Sequence, residues 1–136
     1  VETPRVALLS AIETVNPRIR STTEAAAICK MADRGQIEGG IVDGPLAFDN
    51  AVSSAAARIK GIDSEVAGRA DVLVAPDLEA ANVMAKQLEY LADARGAGVL
   101  LGARVPIVLT SRADTPETMA VSCALAALLH ARGGRR

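Results

Sequence analysis

Short apolar runs alternate along this sequence with longer segments whose apolar residues recur at helical spacing. The runs lie at residues 5–11, 37–42, 71–75, 98–101 and 105–110. The helical segments lie at residues 21–35, 48–60, 78–95 and 116–131. Each run has the length and the aliphatic content of a buried strand. This alternation predicts right-handed βαβ units, and therefore an α/β fold of three layers, αβα, around a mostly parallel sheet.

The composition suits such a sheet. Hydrophobic residues make up 50% of the 136-residue chain, yet Phe48 and Tyr90 are the only aromatic residues. The core must therefore consist of Ala, Val, Leu and Ile, whose small side chains allow helices to lie close to a parallel sheet. A chain of this length is expected to form one compact domain.

One junction departs from the βαβ pattern. Only residues 102–104 separate the last two predicted strands, whereas a parallel crossover needs about a dozen residues or more. Either these strands form an antiparallel hairpin, or the chain leaves this sheet between them. In the hairpin, Ser111 would lie at the opposite sheet edge from Asp43. The pattern leaves both alternatives open.

Charge and composition argue against nucleic acids and membranes as partners. Fifteen Lys and Arg against sixteen Asp and Glu leave a net charge of −1, and no aromatic set is available for base stacking. No apolar run reaches the roughly 18 residues of a membrane span. Cys29 and Cys123 fall on predicted helices and are expected to be free, buried thiols in a reducing cytoplasm. A single histidine, His130, cannot build a His-rich metal site or a Ser–His–Asp triad.

Polar residues follow two of the predicted strands. Asp43, Gly44 and Pro45 come after the second strand, and Asp77 comes after the third. Ligands of open α/β sheets collect outside the carboxyl ends of the strands. We therefore expect these four residues to bind a substrate. The alternative for each aspartate is a structural role in a turn or a helix cap.

The segment between the fifth strand and the last helix combines a hydroxyl, a cation and a carboxylate. Ser111, Arg112 and Asp114 precede a helix start that residues 115–117 (Thr-Pro-Glu) mark. Free N–H groups at a helix start, together with a guanidinium, suit a phosphate or another anion. The alternative is that Ser111 and Asp114 only cap the helix and that Arg112 is solvated.

Five stretches resemble the phosphate acetyltransferase and phosphate butyryltransferase family. They are residues 31–35 (MADRG), 41–51 (IVDGPLAFDNA), 64–68 (SEVAG), 70–80 (ADVLVAPDLEA) and 109–114 (LTSRAD). Their order and spacing match along nearly the whole chain. Asn16-Pro17, and an alanine rather than a glycine after Arg112, look more like the butyryl-type branch. Some members of that branch are fused to an enoyl-CoA hydratase module.

The resemblance implies a two-lobed protein with a cleft, similar in fold to isocitrate and isopropylmalate dehydrogenases. This chain would be the C-terminal half, and its start at Val1, almost directly before a strand, is expected of a chain cut from a longer one. The last strand and helix, about residues 103–136, would pack on an N-terminal lobe. Residues 102–104 would then be the crossover. A cytoplasmic homodimer is expected from the family.

The resemblance also implies an activity: reversible transfer of a short acyl group between coenzyme A and inorganic phosphate, without a bound metal or prosthetic group. Arg112 would bind the phosphate, and Ser111 would position the thiol or donate to the developing oxyanion. Thr110 would join the substrate-binding residues.

The base of this reaction is open. The acetyl-type pattern has a carboxylate seven residues after the serine, where this chain has Thr118. Asp114 and Glu117 are the nearest replacements, and Asp114 is the one that we predict to be catalytic.

Two other functions fit the same fold. One is a related enzyme, such as a dehydrogenase or an acyl-carrier-protein-directed phosphate acyltransferase, although the chain has no Gly-x-Gly-x-x-Gly turn. The other is a non-catalytic half-domain that binds coenzyme A or serves assembly, including a module of a bifunctional enoyl-CoA hydratase/phosphate acyltransferase.

Overall fold

A computed structural model of the protein describes residues 1–133. These residues form two compact units, the first covering Val1–Val83 and the second beginning at Met84. The elements are β1 (Arg5–Leu9), α1 (Arg20–Asp33), β2 (Ile41–Leu46), α2 (Phe48–Val52), α3 (Ser54–Ile59), β3 (Val72–Val74), α4 (Leu78–Leu91) and α5 (Pro116–Gly133). The unit boundary falls within α4. None of the helices within residues 1–133 combines the length and the apolar character that a membrane crossing requires.

A parallel sheet organises the first unit. Its strand order is β2-β1-β3, and Val6 of the central strand pairs with Val42 on one side and with Val72 on the other. Helices connect the successive strands, as parallel pairing requires. The prediction of an α/β fold with a parallel sheet is therefore confirmed.

The core of the first unit consists of small and aliphatic side chains, as the composition predicted. Its buried apolar residues are Ala7, Leu8, Leu9, Ala25, Leu46, Ala47, Ala51, Ala57, Val66 and Ala67. Leu46 and Val66 are the largest apolar side chains that are fully buried there.

The second strand was predicted to end at Val42, and this prediction is wrong. β2 runs from Ile41 to Leu46 and so includes Asp43, Gly44 and Pro45. In the three-stranded sheet β2 is an edge strand, where a proline is tolerated because its missing N–H faces no neighbouring strand. Gly44 also fits closely against β1, since a Cβ added there would lie 2.7 Å from Leu8 Cβ.

Two local predictions about the helices of the first unit are wrong. The predicted helix over residues 48–60 is broken at Ser53, whose backbone is extended. Ser53 caps the start of α3, because its side-chain oxygen accepts the Ala56 N–H. Residues 21–24 have the order Ser-Thr-Thr-Glu, which predicts a capping box with Ser21 as the helix cap. They lie instead inside α1, which begins after Ile19 with no side-chain cap. Ser21 instead shares a hydrogen bond of 2.8 Å with Ser10, at the end of β1.

The second unit contains no regular strand among its described residues. Of the predicted strands 98–101 and 105–110, only one antiparallel bridge forms, with the Leu100 N–H donating to the Ile107 carbonyl at 2.8 Å. The bridge has the antiparallel sense of the hairpin alternative. The predicted burial of this segment is wrong, because Val105 and Leu109 are exposed.

Most apolar side chains of α4 and α5 are also exposed. No residue of α4 is buried, and α4 ends at Leu91 rather than near residue 95. The residues of α5 that were predicted to be buried are instead 37–62% exposed: Val121, Leu125, Leu128 and Leu129. Ser122 and Ala126 are the buried residues of α5 within the described part. Both cysteines are free, but Cys29 is only half-buried and Cys123 is exposed.

Candidate functional site

A cleft of about 480 Å³ lies in the first unit beyond the carboxyl ends of β1 and β3. It is lined by Ala11, Arg20, Ser21, Glu24, Pro76 and Asp77. After β1 the chain crosses to β2 on one side of β1, and it later forms β3 on the other side of β1. The cleft lies where these two directions part, which is the position that ligands favour in open parallel sheets. Within it, Arg20 Nε donates to Glu24 at 2.6 Å.

Asp77 is exposed and caps α4. Its Oδ1 accepts the Ala80 N–H at 2.7 Å, and its carbonyl accepts the Ala81 N–H at 3.1 Å. The structural alternative considered for Asp77 is therefore present. A cap uses one carboxylate oxygen, and the side chain still faces the cleft.

Asp43 is engaged within the fold. Its Oδ1 accepts the Gly44 N–H at 2.8 Å, and its Oδ2 accepts the Ser64 hydroxyl. Ser64 Oγ in turn accepts two backbone N–H groups, from Val66 and Ala67. Asp43 thus holds the loop after α3 against β2.

Gly44 and Pro45 are internal as well. The Gly44 carbonyl accepts the Cys29 thiol at 3.3 Å, and Pro45 is buried. Burial, followed by the charges of Asp43 and Asp33, raises the pKa of the Cys29 thiol to about 11. Within the first unit, Asp43 and Asp77 therefore belong to separate hydrogen-bond groups.

A polar network after β1 was not predicted. Fully buried Asn50 donates its amide to Glu13 at 3.2 Å, and Lys60 Nζ lies 3.1 Å from Glu13 and 3.2 Å from Asp49. Hydrogen bonding to Lys60 lowers the pKa of Glu13. Asn50 Oδ1 has no hydrogen-bond partner among residues 1–133. Glu13 lies 37 residues from Asn50 and 47 residues from Lys60 along the chain, so no local sequence pattern could predict this network.

Thr110, Ser111, Arg112 and Asp114 lie in the second unit, just before α5. The Ser111 N–H donates to Asp114 Oδ2 at 2.7 Å, and the Asp114 N–H donates back to the Ser111 carbonyl at 3.1 Å. Ser111 Oγ accepts the Ala113 N–H at 3.3 Å. Arg112 is exposed at the tip of this turn, and Thr110, which precedes the turn, is half-buried.

The start of α5 is capped by Thr115 rather than by Ser111 or Asp114. Thr115 Oγ1 accepts the Thr118 N–H at 3.2 Å, and the hydroxyls of the two threonines lie 3.1 Å apart. Asp114, Thr115 and Thr118 line one side of a groove of about 470 Å³ that Tyr90 and Val121 also line. The Ser111–Asp114 turn therefore borders this groove through Ala113 and Asp114.

A family model described as "Phosphate acetyl/butaryl transferase" matches residues 1–127. The chain belongs to this family. The resemblance inferred from the five stretches is therefore confirmed, and the match includes Asp43, Asp77 and the Ser111–Asp114 turn.

Relatives of this chain are named after both substrates, acetyl and butyryl. A phosphate acetyltransferase of Rhizobium meliloti is 66% identical over 129 residues, which are 95% of this chain and 41% of that protein. A phosphate butyryltransferase of Clostridium beijerinckii is 52% identical over 132 residues, which are 97% of this chain and 44% of that protein. Both names occur at high identity, so the butyryl-type branch stays a prediction.

The fold agrees with a solved structure of the same family. The crystal structure of a branched-chain phosphotransacylase from Enterococcus faecalis V583 matches with a TM-score of 0.80 and 35% sequence identity. The match covers 93% of this chain and 45% of that one. The chain thus spans less than half the length of these relatives.

Proposed function

We propose that this chain is the C-terminal half of a phosphate acyltransferase, which transfers a short acyl group between coenzyme A and inorganic phosphate. The observation that carries the proposal is the family match over residues 1–127, which contains the Ser111–Arg112 turn. Acyl-CoA and phosphate are the substrates, and the protein acts in the cytoplasm without a bound metal or prosthetic group.

The chemistry requires a phosphate site and a donor for the oxyanion. In the direction of thioester synthesis, the coenzyme A sulfur attacks the acyl-phosphate carbonyl, a C–S bond forms, and the C–O bond to the leaving phosphate breaks. The thiol must first lose its proton. An arginine suits the phosphate, because charge-assisted hydrogen bonds contribute about 1.5–3 kcal/mol each.

We propose Arg112 for the phosphate site and Ser111 for the donor. The exposed Arg112 side chain makes no hydrogen bond to residues 1–133, so its guanidinium is available to an anion. Ser111 Oγ accepts a backbone N–H, which leaves its own proton to donate to the oxyanion or to position the thiol. Thr110, which directly precedes this turn, is a further proposed substrate contact of the second unit. In the first unit, taken by itself, Asp43, Gly44 and Pro45 of β2 and the helix-capping Asp77 stay proposed substrate contacts.

The exposed side chains of α5 support the proposed N-terminal lobe. A helix that is apolar on several faces needs partners to bury it, and Val121, Leu125 and Leu128 have none within the described residues that cover them. The chain spans 41–45% of the length of its relatives. We infer that α5 and the segment before it pack on this lobe, and that the protein is a homodimer.

A chimera tests the activity. This chain would replace the matching segment of the Rhizobium meliloti phosphate acetyltransferase, and turnover would be assayed with acetyl-CoA or butyryl-CoA and phosphate. We expect an active chimera in which Arg112→Ala lowers kcat/KM for phosphate by about 10–100-fold, because the variant loses a charge-assisted hydrogen bond.

The matched control is Arg95→Ala, which removes another exposed arginine of the second unit whose partner is Glu117 at 3.4 Å. We expect it to leave kcat/KM for phosphate unchanged. Unimpaired turnover of Arg112→Ala would remove the proposed phosphate role of Arg112.

A second candidate is a non-catalytic half-domain that binds coenzyme A. It is favoured by the share of its relatives that this chain spans, 41% for the Rhizobium meliloti protein, because half of a cleft can bind a ligand without turning it over. A chimera that binds acyl-CoA in calorimetry but shows no turnover would favour this candidate.

A further inference from the structure

We propose that Asp114 is a positioning residue, which holds the Ser111–Arg112 turn in its binding conformation, and that it is not the proton acceptor of the reaction. This inference rests on the proposed acyl transfer and assigns a role within the same site. Three observations carry it: reciprocal hydrogen bonds, the burial of the carboxylate and a nearby lysine.

Asp114 closes the turn through two hydrogen bonds of opposite direction. Its side chain accepts the Ser111 N–H at 2.7 Å, while its own N–H donates to the Ser111 carbonyl at 3.1 Å. This reciprocity resembles that of a capping box, in which each end of a short segment satisfies the other. Arg112 lies between the two hydrogen-bonded residues, so the Asp114 carboxylate fixes the position of the Arg112 backbone.

The Asp114 carboxylate is largely buried and lies near a lysine. The Asp114 side chain is only 14% exposed, and its Oδ1 lies 4.0 Å from Lys86 Nζ. Lys86 also donates to Glu89 at 2.6 Å, and this hydrogen bond is the main cause that raises the pKa of Lys86. Lys86 therefore remains a cation beside both carboxylates.

A base role would conflict with this arrangement. Protonation of Asp114 would weaken both its hydrogen bond to the Ser111 N–H and its attraction to Lys86. Each proton transfer would then loosen the turn that carries Arg112. Misplacement of a binding group by about 1 Å can cost about 10²-fold in rate, so the reaction is better served if Asp114 keeps its hydrogen bond to the Ser111 N–H throughout.

Two variants separate the roles. Asp114→Asn keeps an oxygen that can accept the Ser111 N–H, whereas Asp114→Ala removes it. In the 136-residue chain, NMR would measure the exchange rate of the Ser111 amide hydrogen with water. We expect faster exchange in Asp114→Ala and a rate near that of the unmodified chain in Asp114→Asn. Glu117→Gln, which removes a nearby negative charge but no hydrogen bond to Ser111, is the control and should leave this rate unchanged.

The kinetics of the chimera supply the second measurement. We expect Asp114→Ala to lower kcat/KM for phosphate by about 10²-fold. In Asp114→Asn, kcat/KM for phosphate should fall by less than ~10²-fold, which is the smallest loss expected when a general base is removed. The acid limb of the pH profile should also remain in this variant. Loss of that limb in Asp114→Asn, with a rate as low as that of Asp114→Ala, would overturn the proposal.

The two measurements also separate this inference from the proposed function. A chimera without turnover would contradict the acyl transfer, while the Ser111 exchange rates would still decide whether Asp114 holds the turn. Equal exchange in Asp114→Ala and in the unmodified chain would overturn the positioning role, whatever the activity.

Discussion

The two units of this protein bury their apolar residues very differently. Of the eleven buried apolar residues among those described, ten lie in the first unit and only Ala126 lies in the second. The first unit packs its helices on a parallel sheet, whereas the described part of the second has the end of α4, the long helix α5 and a single antiparallel bridge. Yet both units have sequences rich in Ala, Val and Leu.

The difference shows that an apolar helical pattern predicts a helix but not its burial. α5 forms where its pattern predicted, and its side chains nevertheless stay exposed because no sheet lies among the described residues of its unit. Burial depends on a partner surface of matching shape. The comparison therefore predicts that equivalent substitutions will have unequal effects in the two units.

The largest contrast is expected for leucine truncation. Leu46→Ala should lower the free energy of unfolding of the chain by about 2–5 kcal/mol. Leu46 is only 2% exposed in β2, so its truncation leaves a cavity. Leu128, which is 62% exposed in α5, should change stability by no more than ~0.5 kcal/mol in Leu128→Ala. Urea denaturation of the 136-residue chain measures both. Equal losses would show that Leu128 is buried in solution and would contradict the exposure of α5.

A smaller contrast is expected for glycines with positive φ. An alanine is strained by about 1–2 kcal/mol at Gly68 (φ +76°) and at Gly102 (φ +90°). Only at Gly68 would the added Cβ also collide, lying 2.5 Å from Ser54 Cα. Gly68→Ala should therefore destabilise the chain by about 1–3 kcal/mol more than Gly102→Ala. Thermal unfolding of both variants measures this difference, and a larger loss for Gly102→Ala would contradict the open surroundings of that residue.

The smallest effect concerns the ion pair between β1 and the start of β3. Hydrogen bonds from the Arg5 side chain and backbone lower the pKa of Asp71 from 3.8 to about 2. A lowered pKa in the folded state stabilises the protein at pH values above that of the unfolded carboxyl, and this contribution is lost as the pH falls through about 2.

Asp71→Asn should therefore be less stable than the unmodified chain at about pH 6, and the difference should shrink as the pH falls from about 4 toward 2. The free energy of unfolding as a function of pH tests this. Glu117→Gln, which breaks an exposed pair in the second unit, should have an effect of only about 0–1 kcal/mol at pH 6. A pH-independent effect of Asp71→Asn would show that the ion pair does not stabilise the fold.

Local chemistry predicted several features correctly. Thr115 and Pro116 marked the start of α5, and a helix cap was the alternative considered for Asp77; both features are present. In each case the residues that interact lie within one turn of helix, so their spacing along the chain already determines the contact. The closeness of Ser111 to Asp114 follows for the same reason.

Other features depend on residues far apart in sequence. Asp43, Gly44 and Pro45 were expected to stop a strand, but pairing with β1 extends β2 through them. Ser21 was expected to cap a helix, but it bonds to Ser10 instead. No pattern predicted the network of Glu13, Asn50 and Lys60, because its contacts form only after β1, α2 and α3 have packed together.

The βαβ units, the aliphatic core and the membership of the phosphate acetyl/butyryltransferase family could all be predicted from the amino-acid sequence. These properties follow from short-range periodicity and from motif order, which are written along the chain. The burial of particular apolar faces, the end of β2 at Leu46 and the distance of 4.0 Å between Asp114 and Lys86 became known only from the three-dimensional structure. The physical reason is that burial and ion pairing depend on distances in space, which the packing of the elements sets.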